Sequence, residues 1–97
     1  MNSMYVWEVK EDAGYDGILW SVLIKDDENA LSKIRKEVEY YYSSSIVCES
    51  DKQEGLVKIE SVVNLDELEL DLIHLQPSLS LPFGYQSSIE ISRVKVL

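Results

Sequence analysis

Residues 4–42 read MYVWEVKEDAGYDGILWSVLIKDDENALSKIRKEVEYYY, and the periodicity of this stretch decides the fold. Tyr5, Trp7 and Val9 share one side of a two-residue repeat, with Met4, Val6 and Glu8 on the other. Aromatic and β-branched residues at that period predict a strand over 4–10. Glu11 to Gly17 holds Asp12, Gly14, Asp16 and Gly17, which is the chemistry of a turn. Ile18 to Ile24 is apolar apart from Ser21 and predicts a second strand, central in its sheet and buried on both faces. Two strands joined by a short glycine-bearing loop imply an antiparallel hairpin. Asp26-Asp27-Glu28 then suits a helix N-terminus, where carboxylates accept from orphan N–H groups and complement the dipole. Leu31, Ile34, Val38 and Tyr41 follow at spacings of three and four, one face of a helix over 26–42. Lys33 with Glu37, and Arg35 with Glu39, fall four apart as outer-face ion pairs. The helix is expected to stop before Ser43-Ser44-Ser45.

The second half is less sharply patterned. Ser45 to Glu49 predicts a short strand around Ile46, Val47 and Cys48, and Ser50 to Gly55 a polar turn. Leu56 to Val63 alternates and is rich in Val and Ile, predicting another strand. Residues 65–75 fit two periods; a helical turn at Leu65–Leu68 running into a strand through Leu75 is the reading adopted. Gln76 to Ser88, with Pro77, Pro82 and Gly84, reads as a loop, and Ile89 to Leu97 as a closing strand. The expectation is an α+β fold in a single domain spanning 1–97. It has a mainly antiparallel sheet of about five strands and one principal helix (26–42) packed on one face. The layout is similar to that of many small phage and bacterial proteins.

Eighteen Asp and Glu stand against nine Lys and Arg, a formal charge of -9. Residues 1–32 carry -5 and residues 49–76 carry -6, while 33–48 and 77–97 each carry +1. Such a balance works against nucleic acid or an anionic membrane as a direct partner, since both are bound through positive surface. It favours a basic protein partner. Cys48 is the single cysteine, so no intramolecular disulfide forms, a usage that suits a reducing compartment. Met1 to Glu8 show neither a basic segment nor a long apolar one, so no secretory leader is expected and the cytoplasm is the expected location.

Chemistry-bearing patterns are few. Asp12 to Gly17 resembles the start of a calcium loop, but Gly14 occupies loop position three and Leu23 position twelve, so the bidentate carboxylate is missing. His74 and Cys48 are each alone of their kind, and a nucleophilic pair or a metal site needs further partners. The serines of 43–45 and 87–88 lack a glycine elbow, and the four glycines are scattered, so no phosphate loop is encoded. No catalytic, metal or cofactor-binding residue is therefore assigned, no cofactor is expected, and the chain is read as a non-enzyme.

The candidate site is instead a partner-binding set: Asp66, Glu67, Glu69, Asp71, Tyr40, Tyr42, Phe83 and Tyr85. On a strand, Glu67, Glu69 and Asp71 would share one face at roughly 6.6–6.8 Å, about two phosphate steps of a nucleic-acid strand. Helical spacing puts Tyr41 on the core side and leaves Tyr40 and Tyr42 partly exposed, as interface tyrosines often are. Leu79, Leu81, Phe83 and Tyr85 alternate within the 76–88 loop and either fold back on the core or present an apolar patch. In size, charge and lack of motif the chain is similar to phage counter-defence proteins and bacterial immunity proteins. The expected function is occlusion of a basic nuclease or nucleic-acid-binding target. The alternative is a structural or regulatory subunit that self-associates, as a homodimer, through a sheet edge or the apolar loop.

Overall fold

A computed structural model describes residues 4–96; the expectations for Met1 to Ser3 and for Leu97 lie outside the described residues. The predicted hairpin forms. β1 (Tyr5–Asp12) and β2 (Ile18–Lys25) are antiparallel, with Trp7 opposite Ile24, Val9 opposite Val22 and Glu11 opposite Trp20. One turn of 3-10 helix, Gly14–Asp16, joins them. Gly14 and Gly17 take φ of +64° and +75°, the left-handed region where a Cβ is costly. The Asp12 carboxylate accepts from the Gly14 N–H at 2.9 Å, an Asx turn rather than a cation loop.

The helix begins later than its acids suggest. α1 (Ala30–Ser44) starts at Ala30 because the acids before it are otherwise engaged. Asp26 accepts from the indole N–H of Trp7 at 2.9 Å, and Asp27 accepts from the Asn29 N–H at 2.8 Å. Ala30, Ile34, Val38 and Tyr42 form the buried stripe. A spacing of four carries that stripe to Tyr42, so Tyr42 rather than Tyr41 faces the core. Arg35 does not pair with Glu39; it donates to the carbonyls of Ile59 and Glu60, each at 3.3 Å, and to that of Val62.

Those carbonyls end a second helix, α2 (Glu49–Ser61), which replaces the strand predicted over 56–63, while the strand predicted over 45–49 is an irregular link running from α1 into the first residue of α2. Gly55 and Ile59 are its buried residues, four apart, with Leu56 half-buried beside them. Of the Val and Ile residues that suggested a strand, Ile59 is buried while Val57 and Val63 are exposed, and packing of the Gly55–Ile59 face against α1 overrides propensity. Gly55 is thus a contact glycine within a helix and not a turn glycine.

The helical turn predicted at 65–68 is present as a 3-10 turn, Leu65–Glu67, capped by the Asn64 side chain, which accepts from the Asp66 N–H. The strand beyond it shrinks to one bridge between Leu70 and Pro77. The predicted loop holds β3 (Ser78–Pro82), which pairs with β4 (Ser88–Lys95). Pro82 ends an edge strand, where a missing N–H breaks no ladder.

The result is an α+β fold whose four-stranded antiparallel sheet runs β2-β1-β4-β3, with two helices on one face. Among the described residues, four strands and two helices replace the expected five and one. Trp7, Val9, Ile24, Leu81, Phe83, Ile89 and Ile91 meet Ile34, Val38, Tyr42 and Ile59 in the core. The central strands of the other sheet face carry Glu8, Lys10, Glu90 and Ser92, with Lys10 paired to Glu8 at 3.2 Å. β2 is not the central strand its composition suggested but an edge. No helix among the described residues is long and apolar enough to cross a membrane.

Candidate functional site

The structure divides the expected partner-binding set into three groups. Tyr42 and Phe83 are core residues. Tyr42 is buried under α2, donates its hydroxyl to the Pro82 carbonyl, and packs on Phe83 with ring centroids 5.3 Å apart. Burial, with the Asp51 and Glu54 carboxylates nearby, pushes the Tyr42 hydroxyl up to about 12. The apolar segment folds back: Leu81 and Phe83 are buried and Leu79 packs against the core, leaving only Tyr85 outside.

The acidic run does not form a row on one strand. Asp66 pairs with Arg93 at 3.1 Å. Asp71 accepts from the N–H groups of Ile73, at 2.6 Å, and His74, at 3.1 Å, and meets the His74 ring at 3.2 Å, closing a tight turn. Those donated bonds hold the Asp71 carboxyl below its ordinary range. Glu67 and Glu69 remain exposed, while the Glu69 carbonyl accepts from the Ser78 N–H. The backbone-mimicking geometry required an extended 67–71 segment, and the 3-10 turn removes it.

Tyr40 and Tyr85 belong to a different end of the molecule. Arg93, which anchors Asp66, lies opposite Trp7, whereas the β3–β4 turn ends at Ser88, opposite Asp12. Five strand residues, roughly 17 Å, separate these two levels.

That second end collects aromatics from four segments. Tyr15 is fully exposed at the tip of the β1–β2 turn, Tyr85 is 90% exposed on the β3–β4 turn, and Tyr40 is 61% exposed near the end of α1. Gly14 sits against the Gln86 carbonyl, which places the two turns side by side. Tyr41 stacks on Trp20 with centroids 3.5 Å apart, and Tyr40 meets Tyr41 edge-on at 5.3 Å. The Trp20 indole N–H donates to Glu11 at 3.0 Å. Burial, with the Glu37 carboxylate and Tyr40 nearby, raises the Tyr41 hydroxyl above its ordinary value. Asp51, at the start of α2, accepts from the Gly84 N–H at 3.0 Å and fixes the Tyr85 turn. A stacked pair with its Trp20 ring tied to Glu11 is pre-ordered, so little side-chain entropy is lost when a partner covers it.

Tyr15 and Trp20 are the residues that sequence reading missed. Each belongs to an ordinary hairpin in the sequence, and no local signal marks them, because the grouping arises only when four segments converge.

Other features carry less. A cleft of about 430 Å³ lies beside the polar sheet face, lined in part by Glu8, Lys10, Asp71, His74, Arg93 and Lys95. Its charges are mixed and largely paired. A cleft of about 240 Å³ between the β2–α1 link and residues 63–66 is lined by Asp26, Asp27, Glu28 and Asp66. Among the described residues no group of three or more His, Cys, Asp or Glu is placed to hold a metal ion. Cys48 is exposed at the start of α2 with Ser50 as its neighbour at 3.6 Å, while His74 is paired with Asp71. Comparison with family models, characterised proteins and solved structures finds no match to this chain.

Proposed function

We propose that this is a small acidic protein-binding protein, without catalytic activity of its own, that occludes a basic target such as a nuclease or a nucleic-acid-binding protein. The observation carrying this reading is that exposed Tyr15, Tyr40 and Tyr85 lie at the same end of the sheet as the Trp20–Tyr41 stack, together with Glu11, Asp12, Asp16 and Glu37. Tyrosine and tryptophan are the side chains that most often anchor interfaces, and a charged rim steers a partner of opposite sign. A net charge of -9 extends that steering over the whole surface. The mechanism is occlusion. Carboxylates meet the Lys and Arg that the target would offer to phosphate, and the rings fill its apolar recesses. Inhibitors, immunity proteins and phage counter-defence proteins act within this class of chemistry, and the cytoplasm is the compartment where such targets would be met.

The test is capture of a partner from a native lysate, followed by kinetics with the purified partner. Tyr15→Ala/Tyr40→Ala/Tyr85→Ala should weaken binding by at least about tenfold without lowering the melting temperature, since these rings are exposed. Association should slow steeply between low and physiological salt. A captured partner that is acidic, or one bound equally by the triple variant, would count against the assignment.

A further inference from the structure

We infer that the chain self-associates through β2, a second copy adding its own β2 antiparallel across a two-fold axis at Ser21 so that the two four-stranded sheets become one. The first ground is a mismatch between composition and position. Ile18 to Ile24 has the near-continuous apolar sequence of a strand buried on both faces, yet β2 lies at the sheet edge. Leu19 is 57% and Leu23 63% exposed. On the polar sheet face the residues facing β2 are Glu8, opposite Leu23, and Lys10, opposite Ser21. The face therefore becomes more apolar toward its rim, the reverse of what a strand bordered by water requires.

The second ground is the lack of edge protection. β2 contains no proline and no carboxylate; Lys25, at its end, is its only charge. The one irregularity in its pairing with β1 falls at the Ile18 end, opposite Asp12. The outward-pointing N–H and C=O groups of an eight-residue strand are left as a template for another strand.

The third ground selects a second copy as the occupant. The run Ile18-Leu19-Trp20-Ser21-Val22-Leu23-Ile24 reads almost the same in both directions. An antiparallel pair about Ser21 therefore sets Ile18 against the second copy's Ile24, Leu19 against its Leu23 and Trp20 against its Val22. This is the self-complementary patch that a two-fold interface needs. Opposed residues lie on the same sheet face, so the leucines meet on the outer face and Trp20 meets Val22 on the helix side. Charge points the same way. Two chains of -9 repel, and this edge brings seven uncharged residues together. A basic partner would find no carboxylate on β2 to pair with.

Sedimentation of the isolated protein, with a cross-link to fix the register, tests this without any target. The wild type should dimerise reversibly. The dimer should tighten as salt rises, because screening relieves like-charge repulsion, whereas capture of a basic target should weaken. In a Cys48→Ser background, Ser21→Cys should oxidise to a covalent dimer. Opposed Cα atoms across such a pair lie about 4.5–5.5 Å apart, within disulfide reach. Leu19→Cys should not self-link, since its copies would lie roughly 14 Å apart along the strand. Leu19→Lys/Leu23→Lys turns two apolar cross-strand pairs into like-charged ones and should raise the dissociation constant roughly a hundredfold, with an unchanged circular dichroism spectrum. A wild type that stays monomeric at its highest soluble concentration overturns the inference. So does a dimer that cross-links through Leu19→Cys in preference to Ser21→Cys. If the lysine variant fails to fold, the cysteine pair decides alone.

Discussion

Replacing Gly55 by alanine tests the junction on which the whole helical layer rests. Gly55 lies in the interior of α2, where alanine is ordinarily better than glycine by about 1 kcal/mol. Here a Cβ would overlap Oη and Cζ of Tyr42 and stand 2.8 Å from Cε2. Tyr42 cannot swing away freely. Its ring is buried against Phe83 and its hydroxyl is committed to the Pro82 carbonyl. Relief requires either a strained, overfilled contact, costing about 1–3 kcal/mol, or the loss of a buried hydrogen bond, costing a similar amount. With both partly incurred and the propensity gain subtracted, Gly55→Ala should destabilise by about 3 kcal/mol. At a urea m-value of about 2 kcal/mol/M the midpoint should fall by roughly 1.5 M. The sign should reverse in a Tyr42→Leu background, which lacks the ring. There Gly55→Ala should regain up to about 1 kcal/mol. If Gly55→Ala stabilises the otherwise unchanged protein, α1 and α2 do not meet at this point and the packing described above is wrong.

Two further outcomes follow from the core. Ile34→Ala, at a fully buried position, should cost about 2–5 kcal/mol in urea melts, whereas Lys36→Ala, on the exposed side of α1, should stay within about 0.5 kcal/mol; equal effects would mean that the helix presents another face. Tyr42 gives a pH signature. Its hydroxyl, ordinarily near 10.0, is raised to about 12 in the folded chain, so the folded state holds that proton more tightly than the unfolded one. The associated stability is complete below about pH 10 and is lost as pH climbs toward 12, a change of about 2–3 kcal/mol. Tyr42→Phe should be less stable at neutral pH through the lost bond to Pro82, yet lose less on going to alkaline pH; parallel alkaline unfolding curves for the two proteins would contradict this.

The sequence by itself determined the elements whose burial pattern is local. The two-residue period of Tyr5 to Val9 and the glycines at 14 and 17 marked the β1–β2 hairpin, and the three-and-four spacing from Leu31 through Ile34 to Val38 marked α1. The Asn64 cap marked the turn at 65–67, the alternation from Ile89 marked β4, and the acidic charge needed no structure. The tertiary structure alone decided the rest. Leu56 to Val63 alternates as a strand does, and only the notch that Gly55 opens for Tyr42 shows why a helix is laid there. Ser78 to Pro82 is a strand because β4 offers it an edge, which its serines and its one proline conceal. The apolar run of β2 announced burial but not the neighbour that would supply it, because composition records what a segment needs and chain topology decides what it meets. The tyrosines at 15, 40 and 85 are ordinary in their own segments. They become a surface only because β1, β4 and the end of α1 bring them to one level, and pairing across such distances in sequence leaves no local trace.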